Sequence, residues 1–513
     1  PLGAEGSAWM WQIAGKVSVK NLKTVIKLHD LTGFDGRCDA IYFTMEAGKM
    51  PPSDVKELEA FRRQALGLPD EAPVAGEYDL VVVGAGIAGM SAAVSAARLG
   101  CRVALINDRP VVGGNNSSEI RVHLGGRIEE GTYKELGGLQ KEFGPEKGGN
   151  AQPAEYYEDQ KKMDWLAGEK HVSLFLNYRA IGVTKEGDKI TSVVVKHIES
   201  GKELKFKAPL FSDCTGDGTI GYLAGADYRM GREGRDEYGE SIAPEKADKL
   251  TMGSSVQWYS VDNKKSSPFP EFSYGVEFND KNCEKVMMGE WTWETGMNFD
   301  QIKDFERIRD YGMLVVYSNW SYLKNRMKEN DQYKNRKLGW VAYVAGKRES
   351  RRLMGDYILK EDDITKNVSH EDASFATTWS IDLHWQDPKN SEHFPGNEFK
   401  AVTKHILIHP YAVPYRCLYS RNVENLFMAG RNISVTHVAL GTVRVMRTTG
   451  MMGEVVGMAA SLCKKYDVTP RGVYRSHLED LKTLMKEGVN KKGLPNNQRY
   501  NEGGILKDKP VVQ

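Results

Sequence analysis

One run, Gly84-Ala85-Gly86-Ile87-Ala88-Gly89, constrains this chain more than any other, because of what surrounds it. Residues 78–83 (YDLVVV) are continuously apolar or β-branched after the first two positions, as in a buried strand. Residues 86–99 are rich in Ala, Ser and Gly and read as a closely packed helix, and residues 102–106 (RVALI) read as a second strand. GxGxxG alone is a weak signal. Between a strand and a helix, inside a βαβ unit of about 30 residues, it marks a dinucleotide-binding turn. Gly84 permits the tight turn, Gly86 lets backbone approach a pyrophosphate, and Gly89 lets helix and strand pack closely. Ile87 and Ala88 begin the helix, where unpaired N–H groups and the positive dipole end attract phosphate.

The ribose position is irregular. Such folds place Asp or Glu at the end of the second strand, about 20 residues on. Here Asn107 falls at that place, with Asp108 next, and either can serve. A second GxGxxG, Gly216 to Gly221, follows the strand-like run Ala208–Cys214. It is read as a turn closing the same sheet, because the charged, Gly-rich stretch Tyr228–Glu240 supplies no second Rossmann strand.

Gly113-Gly114-Asn115-Asn116-Ser117-Ser118 resembles the FAD-binding segment shared by glutathione-reductase-like enzymes and the succinate dehydrogenase/fumarate reductase class. Asp213-Cys214-Thr215-Gly216-Asp217-Gly218 resembles the T-G-D-G turn that closes their FAD sheet. Strand-like runs at Ser173–Leu176, Ile190–Val195 and Glu203–Lys207 resemble the antiparallel excursion of such sheets. Together with GKRESRRLMGDYIL (346–359) and the block from Val413 to Ala460, these segments resemble a bacterial FAD-dependent oxidoreductase family that often accompanies polysaccharide-utilisation genes. The likeness spans about residues 78–490.

The resemblance implies an α/β fold, with a Rossmann-like FAD-binding domain (77–225 plus 401–466), a mixed α+β substrate domain (226–400) and a C-terminal helix and tail (467–513). It implies FAD, held non-covalently, since Asn115 stands roughly where succinate dehydrogenases carry a flavin-linking His. Gly430 and Arg431, in the Ala429–Ser434 turn, would lie near the flavin. So would Gly441, Thr442 and Val443, which open a predicted helix Gly441–Lys464. Its N-terminus would stabilise the reduced, anionic ring.

Flavin oxidations move a hydride while a base takes a hydroxyl or amine proton. His123 and His437, within flavin-proximal segments, are the candidate bases, against the plainer reading of core histidines. Arg444 could hold an anionic substrate or a flavin carbonyl, or simply a structural ion pair. Arg121 and Glu119 share a face with His123 if 119–123 is extended, and a Glu–Arg structural pair is the preferred reading. Arg348, Arg351 and Arg352 could form an anion site, but their helical spacing favours a solvated basic face. Tryptophans 258, 291, 293, 320, 340, 379 and 385 could stack on sugar rings or form an aromatic core. His405 and His409 read as strand residues too far apart to share an ion, so no metal site is assigned. A nucleophile elbow is missing, which sets hydrolysis aside.

The formal net charge of +1, from 70 basic and 69 acidic residues, gives no footprint for nucleic acid or anionic lipid. No apolar run is long enough to span a membrane. The six scattered cysteines read as buried thiols and leave the compartment open, with the periplasm preferred to the cytoplasm. The chain starts at Pro1 and reads as a mature product or a fragment. Short strand-like runs at Ala8–Ile13, Lys16–Val19, Thr24–Leu28 and Ala40–Met45 suggest half a β-sandwich. They include HDLTGFDGRCDAIYF, which resembles the β-sandwich module of xanthan-lyase-like proteins. Its other half would come from the same precursor or another chain. Residues 47–76 read as a linker with a short helix from about Ser53.

These readings support an FAD-dependent oxidoreductase of a small polar substrate, a carbohydrate or derivative. The alternatives are a flavin-dependent reductase of an unsaturated acid, or a carbohydrate-binding protein that keeps FAD as a structural ligand.

Overall fold

The computed structural model describes residues 2, 9–29, 38–271 and 274–496, in two units, 1–73 and 74–513. The strand Leu80–Val83 lies at the centre of a five-stranded parallel sheet. The strand order is Leu426–Met428, Leu210–Asp213, Leu80–Val83, Val103–Ile106, Val172–Phe175. All four residues of the central strand are buried. That is why the run is apolar on both faces instead of alternating.

The helix Ile87–Arg98 follows the turn and packs against the long helix Met446–Tyr466. Small residues set their separation: a Cβ on Gly453 would come 2.1 Å from the Ala88 carbonyl oxygen. Ser95 Oγ donates to the Glu454 carbonyl across the contact (2.8 Å). The single helix expected over Gly441–Lys464 is two helices, His437–Val443 and Met446–Tyr466. Val445 between them is extended, and the Arg447 amide donates to the Gly125 carbonyl (3.0 Å). A loop distant in sequence thus takes a donor that a continuous helix would have used.

The antiparallel excursion is formed by Tyr178–Glu186, Lys189–His197 and Glu203–Lys207, with Val74–Glu77 added in parallel. The strand Tyr178–Glu186 was not among the sequence expectations. A second hydrophobic core lies between residues 256 and 399, around the helix Phe305–Asn325. Trp258 packs edge-on against Trp293 (5.3 Å) and Trp320 (5.7 Å), and all three are buried. For these tryptophans the aromatic-core reading holds. Thr469 caps the helix Pro470–Ser476 by accepting from the Gly472 amide, and Leu478–Glu487 follows.

Three sequence expectations change. Arg348, Arg351 and Arg352 lie in extended chain around the short strands Gly346–Lys347 and Arg352–Leu353. Arg348 and Arg352 are fully buried instead of solvated, because Glu294 pairs with Arg348 (3.3 Å), and Glu233 (2.6 Å) and Glu349 with Arg352. Residues 119–123 are not extended: Arg121 has φ 65° and its amide turns back to the Ser117 carbonyl. Glu119 pairs with Arg109 instead of Arg121 (2.5 Å).

Third, the described residues before Pro51 form no strand. Trp9, Ile13, Val17, Val19, Val25, Ile41 and Phe43 are exposed. Strand-forming residues without ladder partners or a covering sheet have nothing to hold them extended. Ala8 and residues 30–37 of the lyase-like stretch lie outside the described residues, as does the end of the expected C-terminal tail, 497–513. The short helix is Val55–Ala65, capped by Asp54, with no buried residue. Cys101, Cys214, Cys417 and Cys463 are buried, Cys283 is half-buried and Cys38 is exposed. No helix among the described residues is long and apolar enough to cross a membrane.

Candidate cofactor and active site

The three fingerprint glycines do different jobs. Gly84 has φ 101°, and a Cβ there would lie 2.3 Å from the Cys214 carbonyl oxygen. A Cβ on Gly89 would lie 1.8 Å from the Gly84 carbonyl oxygen. Both are closed off by the protein itself. A Cβ on Gly86 would meet nothing nearer than the Gly114 Cα, at 3.9 Å. Gly86 therefore opens toward a space that a ligand can enter. No side chain caps the helix that starts there, so its first amides are available. The Gly113 amide donates to the Ala85 carbonyl (2.8 Å), which holds Gly113-Gly114 beside the turn.

The choice between Asn107 and Asp108 follows from hydrogen bonding. Asn107 Oδ1 accepts from the Ala85 amide (3.1 Å), and its Nδ2 donates to the Arg109 (3.1 Å) and Val111 (2.9 Å) carbonyls. Its amide is used to fasten the loop. Asp108 is exposed within the cavity, where its carboxylate would face ribose hydroxyls.

A cavity of about 660 Å³ runs over the turn. Its cations are Arg109, Arg179, Lys303, Arg309, Lys347, Arg348, Arg431 and Arg444; its carboxylates are Asp108, Glu119, Asp217, Glu306 and Asp382. The cationic surplus favours an anionic ligand. Asp217 accepts from Lys347 Nζ (2.6 Å), Arg431 (3.1 Å) and Ser350 Oγ (2.8 Å). Burial alone would raise its carboxyl, but Lys347 and Arg431 hold it well below the usual carboxylate range.

The cavity brings together Gly84, Gly86, Ile87, Ala88, Asn107, Asp108, Gly113, Gly114, Asn115, Ser117, Thr215, Gly216, Asp217, Gly430, Arg431, His123 and Arg444. Seven other expected residues do not line it: Gly89 is one, packed against the Gly84 carbonyl beneath the turn. The Ser118 amide donates to Asp159. Gly441 packs against the backbone of Asp382, and Thr442 Oγ1 donates to the Trp379 carbonyl, so the helix holding them and Val443 braces the wall from behind. The second helix meets the cavity instead, through Val445, Met446 and Thr449. His437 is buried against Glu349 (3.0 Å), and Arg121 lies over the Trp340 ring (3.9 Å).

Sequence reasoning missed Asn150, Lys347 and Asp382, all of which line the cavity. Lys347 opens the conspicuous KRESRR run. Asn150 and Asp382 lie in no motif, so nothing local marked them. Trp291 and Trp379, two of the seven tryptophans weighed above, also line it. Among the described residues, no cluster of three or more His, Cys, Asp and Glu could hold a metal ion.

Two arrangements at the wall hold polar side chains in place. His123 meets Asn150 through both its backbone amide and Nδ1. Burial lowers its imidazole below the ordinary 6.5, against the raising effect of the Asn150 hydrogen bond, which favours the neutral ring near neutral pH. Arg444 is held by Asp382, through its carbonyl (3.0 Å) and Oδ2 (3.1 Å).

A parallel sheet with an open dinucleotide turn at its centre and a cationic cavity above it defines a nucleotide-cofactor enzyme fold. The chain belongs to the FAD dependent oxidoreductase family, whose sequence model matches residues 79–485. No curated protein is matched by the sequence. Solved structures similar to it include the Mycobacterium smegmatis Sdh1 complex in its apo form (11% identity, 82% of this chain and 77% of that one, TM-score 0.33). Another is a geranylgeranyl bacteriochlorophyll reductase-like protein from Thermoplasma acidophilum (12% identity, 80% and 83%, TM-score 0.33). A third is the glycerol-3-phosphate dehydrogenase from Bacillus halodurans complexed with FAD (13% identity, 37% and 41%, TM-score 0.25).

The residues fit FAD. The Gly86 cradle, filled by any side chain, together with the uncapped helix start and Gly113-Gly114, would hold the pyrophosphate. Asp108 would take the ribose hydroxyls. Asn115 donates to the Lys347 carbonyl (3.0 Å) and offers no nucleophile for a covalent link.

Proposed function

We propose that this enzyme oxidises a small polar substrate, a carbohydrate or a derivative of one, at a carbon bearing a hydroxyl or amine. FAD, when bound, supplies the hydride acceptor. His123 takes the hydroxyl or amine proton. The single observation that carries this reading is that His123 lines the cavity with its Nδ1 facing Asn150 Oδ1 at 3.0 Å, an arrangement that suits a neutral ring with its lone pair on Nε2. Trp379, half-buried in the same wall, offers an aromatic face suited to the C–H face of a sugar ring, while Trp291 beside it has the Arg348 guanidinium over its ring (3.7 Å).

A second reading, reduction of an unsaturated acid, draws on Arg444, a cation fixed in the same wall. Anaerobic titration of the yellow enzyme with sugars, amino sugars and unsaturated acids separates the two. Bleaching of the flavin's visible absorbance by a sugar or amino sugar is the expected result. No bleaching by any of these, with reoxidation of dithionite-reduced enzyme by an enoate, would replace the first reading with the second.

A further inference from the structure

We propose that Asn150 is a positioning residue that keeps the proton of His123 on Nδ1, so that Nε2 remains the ring's proton acceptor. The inference rests on the reading of His123 as the base, and deepens it.

Asn150 Oδ1 accepts from the His123 backbone amide (3.1 Å) and meets His123 Nδ1 (3.0 Å). The backbone amide can only donate. The Asn150 atom facing it is therefore the oxygen, and the side-chain orientation is settled without a choice of flip. That same oxygen cannot donate to the ring, so Nδ1 must carry a proton. One acceptor thus determines both ring orientation and tautomer, the role that a partner on the far nitrogen plays for a working histidine.

The backbone on either side is held just as firmly. Arg121, two residues before His123, and Ala151, next to Asn150, both take the left-handed conformation, at φ 65° and 50°. Non-glycine residues persist there only where the surroundings over-determine them. Here they do: the Ala151 amide donates to the Arg121 carbonyl (2.9 Å), which also accepts from Tyr157 Oη (2.8 Å) and Gln257 Nε2 (3.0 Å). Tyr157 and Gln257 are themselves buried. The Arg121 guanidinium lies over Trp340 and donates to the Ser118 (2.8 Å) and Gln152 (3.2 Å) carbonyls. Arg121, an expected catalytic residue, therefore acts in the frame behind the base. Among the charged groups that bear on His123, Glu290 favours its cation and Arg447 opposes it.

The test uses FAD-loaded enzyme carrying 15N-labelled histidine, with the His123 resonances assigned by their loss in His123→Gln. Nitrogen shifts read the tautomer without substrate. Wild type should show the proton on Nδ1. Asn150→Leu should release the tautomer and slow flavin reduction by about tenfold or more, with flavin content and KM kept. Asn150→Asp retains the acceptor and adds a charge. It should restore the Nδ1 tautomer and raise the acid limb of the rate–pH profile by about 1 pH unit or more. A wild-type proton on Nε2, or an Asn150→Leu enzyme with unchanged tautomer and pH profile, overturns the proposal. A His123→Gln enzyme that reduces its flavin at the wild-type rate overturns the base reading instead, and the tautomer spectrum tells the two failures apart.

Discussion

Asp382 grips Arg444 twice, its carbonyl and its Oδ2 both accepting from the same guanidinium amino group, at 3.0 and 3.1 Å. Trp379 Nε1 also donates to Oδ2 (3.3 Å), and His384 and His405 approach Oδ1 at 3.4 and 3.7 Å. Burial alone would raise the Asp382 carboxyl. Arg444, His384 and His405 override it and hold the group well below the usual carboxylate range. A carboxylate depressed in the folded state stabilises the protein above its ordinary pKa, and that contribution disappears as pH falls through the folded value. Asp382→Leu leaves Arg444 buried and uncompensated, and should cost about 3–5 kcal/mol in urea unfolding at neutral pH. A loss below about 1 kcal/mol would show that the pair does little for the fold.

The fingerprint glycines predict two kinds of failure. Gly86→Val should fold, since its Cβ meets no protein atom within 3.9 Å, but should purify colourless because the side chain occupies the pyrophosphate cradle. Gly89→Val should fail to accumulate as folded protein, because its Cβ collides with the Gly84 carbonyl at 1.8 Å. Melting temperature and the ratio of flavin to protein absorbance check both. A Gly86→Val enzyme with stoichiometric FAD would remove the cradle from this site.

What could be read from the sequence is what is local. Gly84 to Gly89 and the strands beside them carry their reason within one βαβ unit. Thr469 and Pro470 likewise begin a helix by their own chemistry. The break at Arg444–Val445 was invisible, because it depends on Gly125 accepting from Arg447. The burial of Arg348 and Arg352 depends on Glu294 and Glu233, far away in the chain. KRESRR alone looks like a solvated face for that reason. Asn107 showed the same limit: its residue type suited ribose, but its hydrogen bonds to Ala85, Arg109 and Val111 are already made.

Two buried carboxyls should make stability fall with rising pH. Burial pushes Glu454 up to about 8 and Glu240 up to about 7, from an ordinary 4.5. Because the folded state holds these protons more tightly, their contribution is complete below about 4.5 and is lost as pH rises through 7 and 8. Glu454 accepts from the Gly137 (3.1 Å) and Leu139 (3.3 Å) amides beneath the long helix. Glu454→Gln removes the titration while keeping an amide oxygen as acceptor. Its melting temperature should decline less than that of wild type between pH 4.5 and 8. Parallel melting curves across that window would mean that Glu454 is charged throughout.

His437 and His123 should separate cleanly. His437 Nδ1 lies 3.0 Å from the Glu349 carboxylate, its backbone amide donates to Glu233 (2.8 Å), and its ring lies outside the cavity. Glu349 also holds Arg352, so the histidine belongs to a buried charge network that anchors the helix His437–Val443. His437→Gln should therefore cost about 1–3 kcal/mol of stability, as expected for a hydrogen bond to a buried charged group. Its flavin should be reduced within about twofold of the wild-type rate, since no catalytic proton passes through it. His123→Gln should do the opposite: retain stability and FAD, and slow reduction by about 100-fold or more. Urea unfolding and stopped-flow reduction on both variants decide the matter, and a slow His437→Gln beside a fast His123→Gln would exchange their roles.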